Sequence, residues 1–403
     1  MIRLDDFRHI VPDERLAEIF DRARGLYGKH VVHVNATYQG GGVAEILYSL
    51  VQLMNDVGID AGWRILHGSQ EFFEITKSFH NALQGGKLHL TEKKKKTYLQ
   101  VNDNFARFTH LNHDCVIVHD PQPLSLIRAY RKRQPWIWRC HIDLTNPHGE
   151  LWDFLKGQML KYDQVVMSSE KYFKEDLPVD QRLMFPAINP LSDKNRDISD
   201  KTMLDHVKKA GIPTDKPVIT QVSRLDPWKD PEGVIDVFKM VKQKVDCRLV
   251  FCYNVASDDP EGLQMYRKVQ RKANKLVSTG DIVFVVGNNE TLVNSVQRFS
   301  NVIIQKSIRE GFCLCVTEAL WKGTPVVASN VGGIPYQIDD GDSGFLVEPR
   351  DNDGFAERIV HILKNPAEAK SVGEKAREKV RREFLITRLL SDYLDMLNSV
   401  MSR

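Results

Sequence analysis

The chain has no long apolar run. Nothing in it approaches the ~20 consecutive apolar residues that a membrane-spanning helix needs. Its opening, Met1-Ile-Arg-Leu-Asp-Asp-Phe-Arg8, is charged and lacks the apolar centre of a signal peptide. The expectation is a cytoplasmic protein with no membrane partner. Cysteine is scarce, with six residues at 115, 140, 247, 252, 313 and 315 and no Cys-x-x-Cys. A disulfide scaffold is therefore not expected, and the thiols read as reduced and mostly buried. An excess of one charge is also missing. A net charge of +3 in 403 residues is too small to draw nucleic acid or an anionic surface. There is no Gly-x-Gly-x-x-Gly, no His-Glu-x-x-His, no cysteine quartet, no short repeat and no low-complexity tract. No metal is assigned.

What remains is an ordinary globular composition, 42% hydrophobic and 27% charged, in a chain long enough for two domains. Short apolar runs, three to seven residues long, alternate with helix-like stretches. The first set comprises Lys29–Asn35, Gly62–Leu66, Cys115–His119, Trp136–His141 and Gln164–Ser168. The alternation stops near Pro186–Arg196, where two prolines and several turn-forming residues suggest a linker. It restarts with Pro217–Val222, Cys247–Cys252, Ile282–Val286, Val302–Ile304, Pro325–Ala328 and Gly344–Val347. Such alternation predicts parallel sheets covered by helices on both faces, an α/β fold in two doubly wound halves. Ligands of such sheets bind beyond the carboxyl ends of the strands. Two such halves would leave a cleft, with the loops at 40–42 and 310–311 facing each other across it.

Four stretches could carry chemistry. Gly40-Gly-Gly42 follows a strand and opens a helix, so its backbone could approach an anion closely; a tight turn with no ligand is the alternative. Arg224 and Lys229, in Gln221-Val-Ser-Arg-Leu-Asp-Pro-Trp-Lys229, follow a strand end and suit a diphosphate; ordinary surface cations are the alternative. Glu310 and Glu318 lie in Arg309-Glu-Gly-Phe-Cys-Leu-Cys-Val-Thr-Glu318, the first after a strand and the second about two turns into a helix. The amides of Gly311 and Phe312 lie near that helix start, where backbone N–H groups favour an anion. A glycosidase pair of carboxylates fits poorly, because eight positions along one segment do not set two groups across one bond. Asp120, His141 and Asp143 follow strand ends as well, as ligand contacts or as turn and capping residues. Lys77, His80 and Asn81 could line an acceptor pocket or belong to an ordinary loop. Glu92-Lys-Lys-Lys-Lys96 reads as a solvated helix face.

Taken together, Gly-Gly-Gly-Val-Ala-Glu, Ser-Arg-Leu-Asp-Pro-Trp-Lys, Arg-Glu-Gly-Phe-x-Leu-x-Val-Thr-Glu-Ala-Leu and Gly-Thr-Pro-Val-Val-Ala-Ser-x-Val-Gly-Gly-Ile resemble the retaining glycosyltransferases of the glycogen synthase and sucrose synthase type. In the N-terminal half, Val-His-Val-Asn-Ala-Thr, Thr-Lys-Ser-Phe-His-Asn-Ala-Leu-Gln-Gly, Val-His-Asp-Pro-Gln-Pro and Trp-Arg-Cys-His-Ile-Asp-Leu resemble the trehalose glycosyltransferring synthase family. The resemblance implies a GT-B fold of two Rossmann-like domains. An acceptor domain would cover 1–188, a donor domain 189–380, and a helix over 381–403 would return to the N-terminal domain. It implies reversible transfer of glucose from ADP- or UDP-glucose to free glucose, giving α,α-trehalose with retention. No cofactor is essential in that reading, Mg2+ being at most a stimulant, and a homodimer is left open.

Carried over motif by motif, Arg224 and Lys229 would hold the donor diphosphate, with amides from Gly41 and Gly42. Glu310 would bind the transferred glucose, supported by the amides of Gly311 and Phe312, and Glu318 would bind the ribose. His141 would stand beside the reacting carbon and the sugar's 6-hydroxyl. Asp120, Gln122 and Asp143, with Lys77 and Asn81, would serve the acceptor. The sequence departs from the family's usual glycines at Cys313 and Asp230. A side chain at 313 would crowd the loop, and Asp230 would weaken the local positive charge. The rival readings are another acceptor (sucrose-type, glucan or lipid), a nucleotide-sugar epimerase or hydrolase, and a non-catalytic sugar-nucleotide sensor.

Overall fold

A computed structural model describes residues 2–39, 41–254, 260–287 and 289–402. The chain forms two compact units, one of Met1–Ala187 with Ile386–Arg403 and one of Ile188–Leu385.

The first unit holds a six-stranded sheet of β1 (His30–Asn35), β2 (Asp60–Ile65), β3 (Cys115–His119), β4 (Trp136–Arg139), β5 (Gln164–Met167) and β6 (Asp180–Leu183), in the order β2-β1-β3-β4-β5-β6. Every neighbouring pair is parallel. The central strands β3, β4 and β5 are mostly apolar, each with one polar residue at an end, and are buried along their whole length, as a sheet covered on both faces requires. Sequence reasoning passed over β6. Three of its four residues, Asp180-Gln-Arg-Leu183, are polar, as a strand at the sheet edge that pairs only with β5 allows. Trp136, Trp138, Tyr98, Phe72 and Phe79 fill the core of this unit.

The second unit repeats the plan with β7 (Val218–Arg224), β8 (Arg248–Asn254), β9 (Ile282–Val286), β10 (Val302–Gln305), β11 (Val326–Ser329) and β12 (Phe345–Val347), in the order β12-β11-β10-β7-β8-β9. These pairs are parallel too. Phe238, Phe251 and Phe355 anchor its core.

The order of the strands matters for function. In the first sheet the chain moves from β1 to β2 on one side, then returns to place β3 on the other. The second sheet does the same around β7, with β8 and β9 on one side and β10 on the other. Each reversal leaves a crevice at the carboxyl ends of two adjacent strands, β1/β3 and β7/β10, the place where open α/β sheets take ligands.

Two boundaries need correction. The helix Pro366–Glu383 runs straight through residue 380, so the chain changes unit at Leu385/Ile386 instead. The last helix, Ile386–Met401, begins there, and Asn398 donates to the carbonyl of Arg22 at 2.8 Å within the first unit. The segment after Pro186 is also less of a linker than its prolines suggest. Asn195 is buried, and the Asn294 amide donates to the carbonyls of Asp193 and Arg196. Among the described residues, no helix is long and apolar enough to cross a membrane.

Candidate active site

At the β7/β10 crevice, β7 ends on Arg224, whose side chain is half exposed and lies 3.6 Å from Asp226. Asp226 caps the next turn by accepting from the Trp228 amide at 2.8 Å. That turn, Pro227–Lys229, is fixed further by Gln221, whose amide donates to the Lys229 carbonyl at 2.8 Å. From the other side of the crevice, the loop after β10 is tied on by the Ile308 amide, which donates to the Trp228 carbonyl at 2.7 Å.

These ties bring Lys229 and Glu310 into a direct ion pair, with both side chains largely buried. Ser307 donates to the same Glu310 oxygen at 3.2 Å, and Gln305 donates to Ser307 at 2.9 Å. Burial alone would lower the Lys229 pKa, but Glu310, Cys313 and Asp226 outweigh it and hold the ammonium above its ordinary range. The sequence spacing did not anticipate this pair, since its members lie on two strand ends 81 positions apart.

The loop from Glu310 to Cys313 is held in place by Gln337. Its amide nitrogen donates to the Phe312 carbonyl at 2.5 Å, and its oxygen accepts from Thr317 at 2.6 Å. The Phe312 ring packs against Phe384, with centroids 5.7 Å apart. Gly311 is buried beside it. Cys313 precedes the helix Leu314–Trp321 with φ 76°, a left-handed conformation that costs an L residue about 1–2 kcal/mol and costs glycine nothing. The glycine usual in the family suits that backbone, and here Cys313 is buried within the loop. Asp230 is likewise left-handed, with φ 45°. Its carboxylate caps the helix Pro231–Lys242 through the Gly233 amide at 3.0 Å and pairs with buried Lys306. Its charge is thus spent on Lys306 and the helix, and the weakening expected from it is met by that lysine.

Glu318 is the fifth residue of its helix, little more than one turn in and not two. Its side chain is 1% exposed and takes Lys194 at 3.1 Å and Gln297 at 3.2 Å. Lys194 comes from the segment read as a linker. Beside it, Lys322 donates to Asn195 at 2.8 Å, and burial lowers its pKa to about 7 against the opposing pull of Glu318. No sequence signal marked Lys194, because a lysine in a proline-bearing stretch reads as surface.

At the β1/β3 crevice, Gly41 caps the helix Gly42–Asp56 in extended backbone, φ −175°. Gly40 lies outside the described residues. A Cβ built on Gly41 meets nothing within 4 Å, so the fold itself does not demand glycine there. Asp120 follows β3 in a left-handed conformation, φ 63°, and accepts from the His141 amide at 2.8 Å. Its own carbonyl accepts from the Trp138 indole at 2.9 Å. Burial raises the Asp120 carboxyl to about 7, with the His141 amide and Arg139 pulling the other way.

Asp143 is buried and accepts from the Thr145 amide at 2.8 Å. Gln122 is half-buried, and its carbonyl accepts from Asn102 at 3.0 Å. Lys77 and Asn81 do not lie in a loop. They stand one turn apart on the helix Gln70–Leu83, half-buried. The strand ends therefore gather Asp120 and His141 at once, while Lys77 and Asn81 come from a separate helix.

Two residues at this crevice escaped sequence reasoning. His33 lies within β1 and His119 ends β3; both are buried. His33 Nδ1 is 3.0 Å from His119 Nε2, and His119 Nδ1 is 3.2 Å from His141 Nε2. The available signal was two histidines inside apolar strands, a costly placement unless they are partnered. Among the described residues, no group of three or more His, Cys, Asp or Glu side chains is placed to hold a metal ion.

Two all-parallel sheets, each with polar side chains collected at its own point of reversal, have the organisation of a GT-B glycosyltransferase. Sucrose-phosphate synthase from Thermosynechococcus elongatus has the same fold, with a TM-score of 0.74 at 18% identity over 93% of this chain and 100% of that one. Residues 203–379 match the family described as glycosyl transferases group 1, and residues 33–174 match the trehalose synthase N-terminal domain. Trehalose synthase of Thermococcus litoralis is 47% identical over 401 residues, 98% of this chain and 97% of that one. Trehalose phosphorylase of Pleurotus pulmonarius is more distant, 28% identical over 87% of this chain and 54% of that one. The chain is a hexosyltransferase and belongs to the trehalose synthase family.

Proposed function

We propose that the enzyme transfers glucose from a nucleoside-diphosphate-glucose to free glucose, releasing the nucleoside diphosphate and forming α,α-trehalose, and that the reaction runs in both directions. The observation that carries this reading is the Lys229–Glu310 pair at the β7/β10 crevice, where β7 ends on Arg224, 3.6 Å from Asp226. Two cations next to a carboxylate suit a substrate with a diphosphate joined to a polyol. Arg224 and Lys229 take the negative charge that grows on the departing diphosphate, which is stabilisation aimed at the transition state. Glu310 accepts hydrogen bonds from the transferred sugar, and the amides of Gly311 and Phe312 support the same ring and phosphate. Gly41 and Gly42 offer backbone N–H groups to the diphosphate. Glu318 has two oxygens with about four acceptor positions. Lys194 and Gln297 occupy two, leaving capacity for ribose hydroxyls.

No side chain is assigned as a covalent nucleophile. The acceptor's 1-hydroxyl attacks C1 from the face the diphosphate leaves. Its proton passes to the departing phosphate oxygen, so the anomeric configuration is retained. His141, with Asp120, Gln122 and Asp143, serves the reacting sugars, and Lys77 and Asn81 are assigned to the acceptor. No resident cofactor is assigned, with Mg2+ at most a stimulant, and cytoplasm is the assigned compartment.

The likeness to a trehalose phosphorylase favours one second reading, transfer between trehalose and inorganic phosphate. One set of incubations separates the two. Glucose is offered with ADP-, UDP- and GDP-glucose, and trehalose is offered with nucleoside diphosphate or with inorganic phosphate. The proposal predicts glucose-dependent nucleotide release with at least one donor, and trehalose consumption with the diphosphate. Consumption with phosphate alone supports the second reading. Nucleotide release without glucose indicates hydrolysis and contradicts both.

A further inference from the structure

Three imidazoles run in a line through the first unit, from the last helix to the β1/β3 crevice. The Tyr393 ring stands edge-on to His33 at 5.7 Å. His33 contacts His119, and His119 contacts His141. The rings of His119 and His141 are stacked, 14° apart in plane. Each link uses Nδ1 of the deeper ring and Nε2 of the next. Burial holds His33 at about 3 and holds the other two well below their usual range, with Arg139 acting against a charge on both. All three rings are therefore neutral near pH 7, and each carries one proton.

A row of neutral imidazoles has two consistent proton arrangements. In one, each Nδ1–H donates towards His141. In the other, each Nε2–H donates back towards His33, whose Nε2–H would then end the row. That nitrogen is buried and, among the described residues, has no hydrogen-bond partner. A buried N–H donor without an acceptor is rarer and costlier than a bare lone pair. The first arrangement is thus preferred, and it leaves His141 with its proton on Nδ1 and its Nε2 filled by His119.

We propose that His33 and His119 are positioning residues that lock His141 as the Nδ1–H tautomer, so that it meets the sugar as a hydrogen-bond donor and cannot act as a base. The part concerning the sugar rests on the assignment of His141 under the proposed function. The tautomer itself does not.

The test is a long-range 1H–15N correlation spectrum of protein labelled at histidine, with His141 assigned by its loss in His141→Asn. The expected pattern in the unmodified enzyme is a protonated Nδ1 and a bare Nε2 on His141; the opposite pattern overturns the proposal without any variant being needed. In His119→Phe, which keeps the ring's shape but offers no nitrogen, the His141 tautomer should mix. In that variant kcat should fall about 10- to 100-fold, with the donor KM changed less than about threefold. His119→Asn, whose amide can take the place of Nδ1–H, should restore both spectrum and rate. A folded His119→Phe protein with unchanged tautomer and kcat contradicts the proposal. If His141→Asn itself keeps full activity, the assignment of His141 to the sugar fails, while the spectrum still decides the relay.

Discussion

Three non-glycine residues among those described hold a positive φ: Asp120, Asp230 and Cys313. All three lie at one or other strand reversal, and strained backbone of this kind persists where the surrounding structure over-determines it. Asp120 shows how. Its left-handed turn lets the carboxylate reach the His141 amide. Burial there raises the carboxyl to about 7 from 3.8, although the His141 amide and Arg139 pull it down. A group whose pKa rises on folding contributes stability that is complete below its unfolded value and lost as pH climbs through the folded one. Asp120 therefore favours the fold below about pH 4 and loses that contribution by about pH 7. Asn tolerates the left-handed backbone and can accept the same bond. Thermal melts of Asp120→Asn against the parent should show a Tm difference that shifts in the variant's favour between pH 5 and pH 8. An unchanged difference refutes the account.

The Lys229–Glu310 pair makes a second residue-scale prediction. Lys229→Ala should lower kcat/KM at least about 100-fold, as loss of a transition-state cation does. It should also cost about 1–3 kcal/mol of stability, because Glu310 is left without that partner. Adding Glu310→Gln should recover much of the stability and none of the rate. Denaturant melts and steady-state kinetics on the two proteins check both halves. Wild-type kcat/KM in Lys229→Ala, or equally in Arg224→Ala, removes the diphosphate assignment.

At the scale of elements, the site is built from residues at and just beyond the carboxyl ends of strands. Arg224 and Asp120 were legible because an apolar run ends just before each, and Gly41 because it opens the helix that follows such a run; a parallel sheet must turn there. Glu310 and Lys229 were each legible by motif, but their pairing was not, since only the β10–β7 contact brings them together. Lys194, Gln337, His33 and His119 were not legible as functional. Each acts through a partner distant in sequence, and local periodicity carries no record of that. Strand β6 was hidden by its polar edge sequence, and Lys77 and Asn81, read as pocket or loop residues, stand on the helix Gln70–Leu83.

The glycine loop after β1 supplies a clean element-scale test. Among the described residues, nothing beyond its chain neighbours stands within 4 Å of a methyl group at Gly41. Gly41→Ala should leave the melting temperature within about 2 °C, because Gly41 has extended backbone open to any residue and a substitution that meets no neighbour changes stability by less than about 0.5 kcal/mol. Activity should nonetheless fall, with the donor KM rising, because the methyl group intrudes where the diphosphate must approach the backbone. An active, stable Gly41→Ala enzyme returns that loop to an ordinary turn.

At the scale of the whole molecule, the fold repeats one device twice. Each unit is an all-parallel sheet whose order reverses once, and the polar residues gather at the reversal. This much followed from the alternation of short apolar runs with helices. The return of the last helix to the first unit was expected from the resemblance; its start was misplaced because the helix break at Phe384–Leu385 has no glycine or proline to announce it. Membership of the trehalose synthase family sets the class of reaction. The stereochemical claim, transfer from a nucleotide-sugar with retention, belongs to the molecule as a whole and is the centre of the account. The measurement that tests it most directly is a proton NMR spectrum of the disaccharide formed from ADP- or UDP-glucose and glucose. The account predicts a single anomeric signal from a symmetric, non-reducing α,α-linked product, with no reducing-end signals from it. A reducing disaccharide, an α,β-linked product, or no disaccharide with any donor contradicts it.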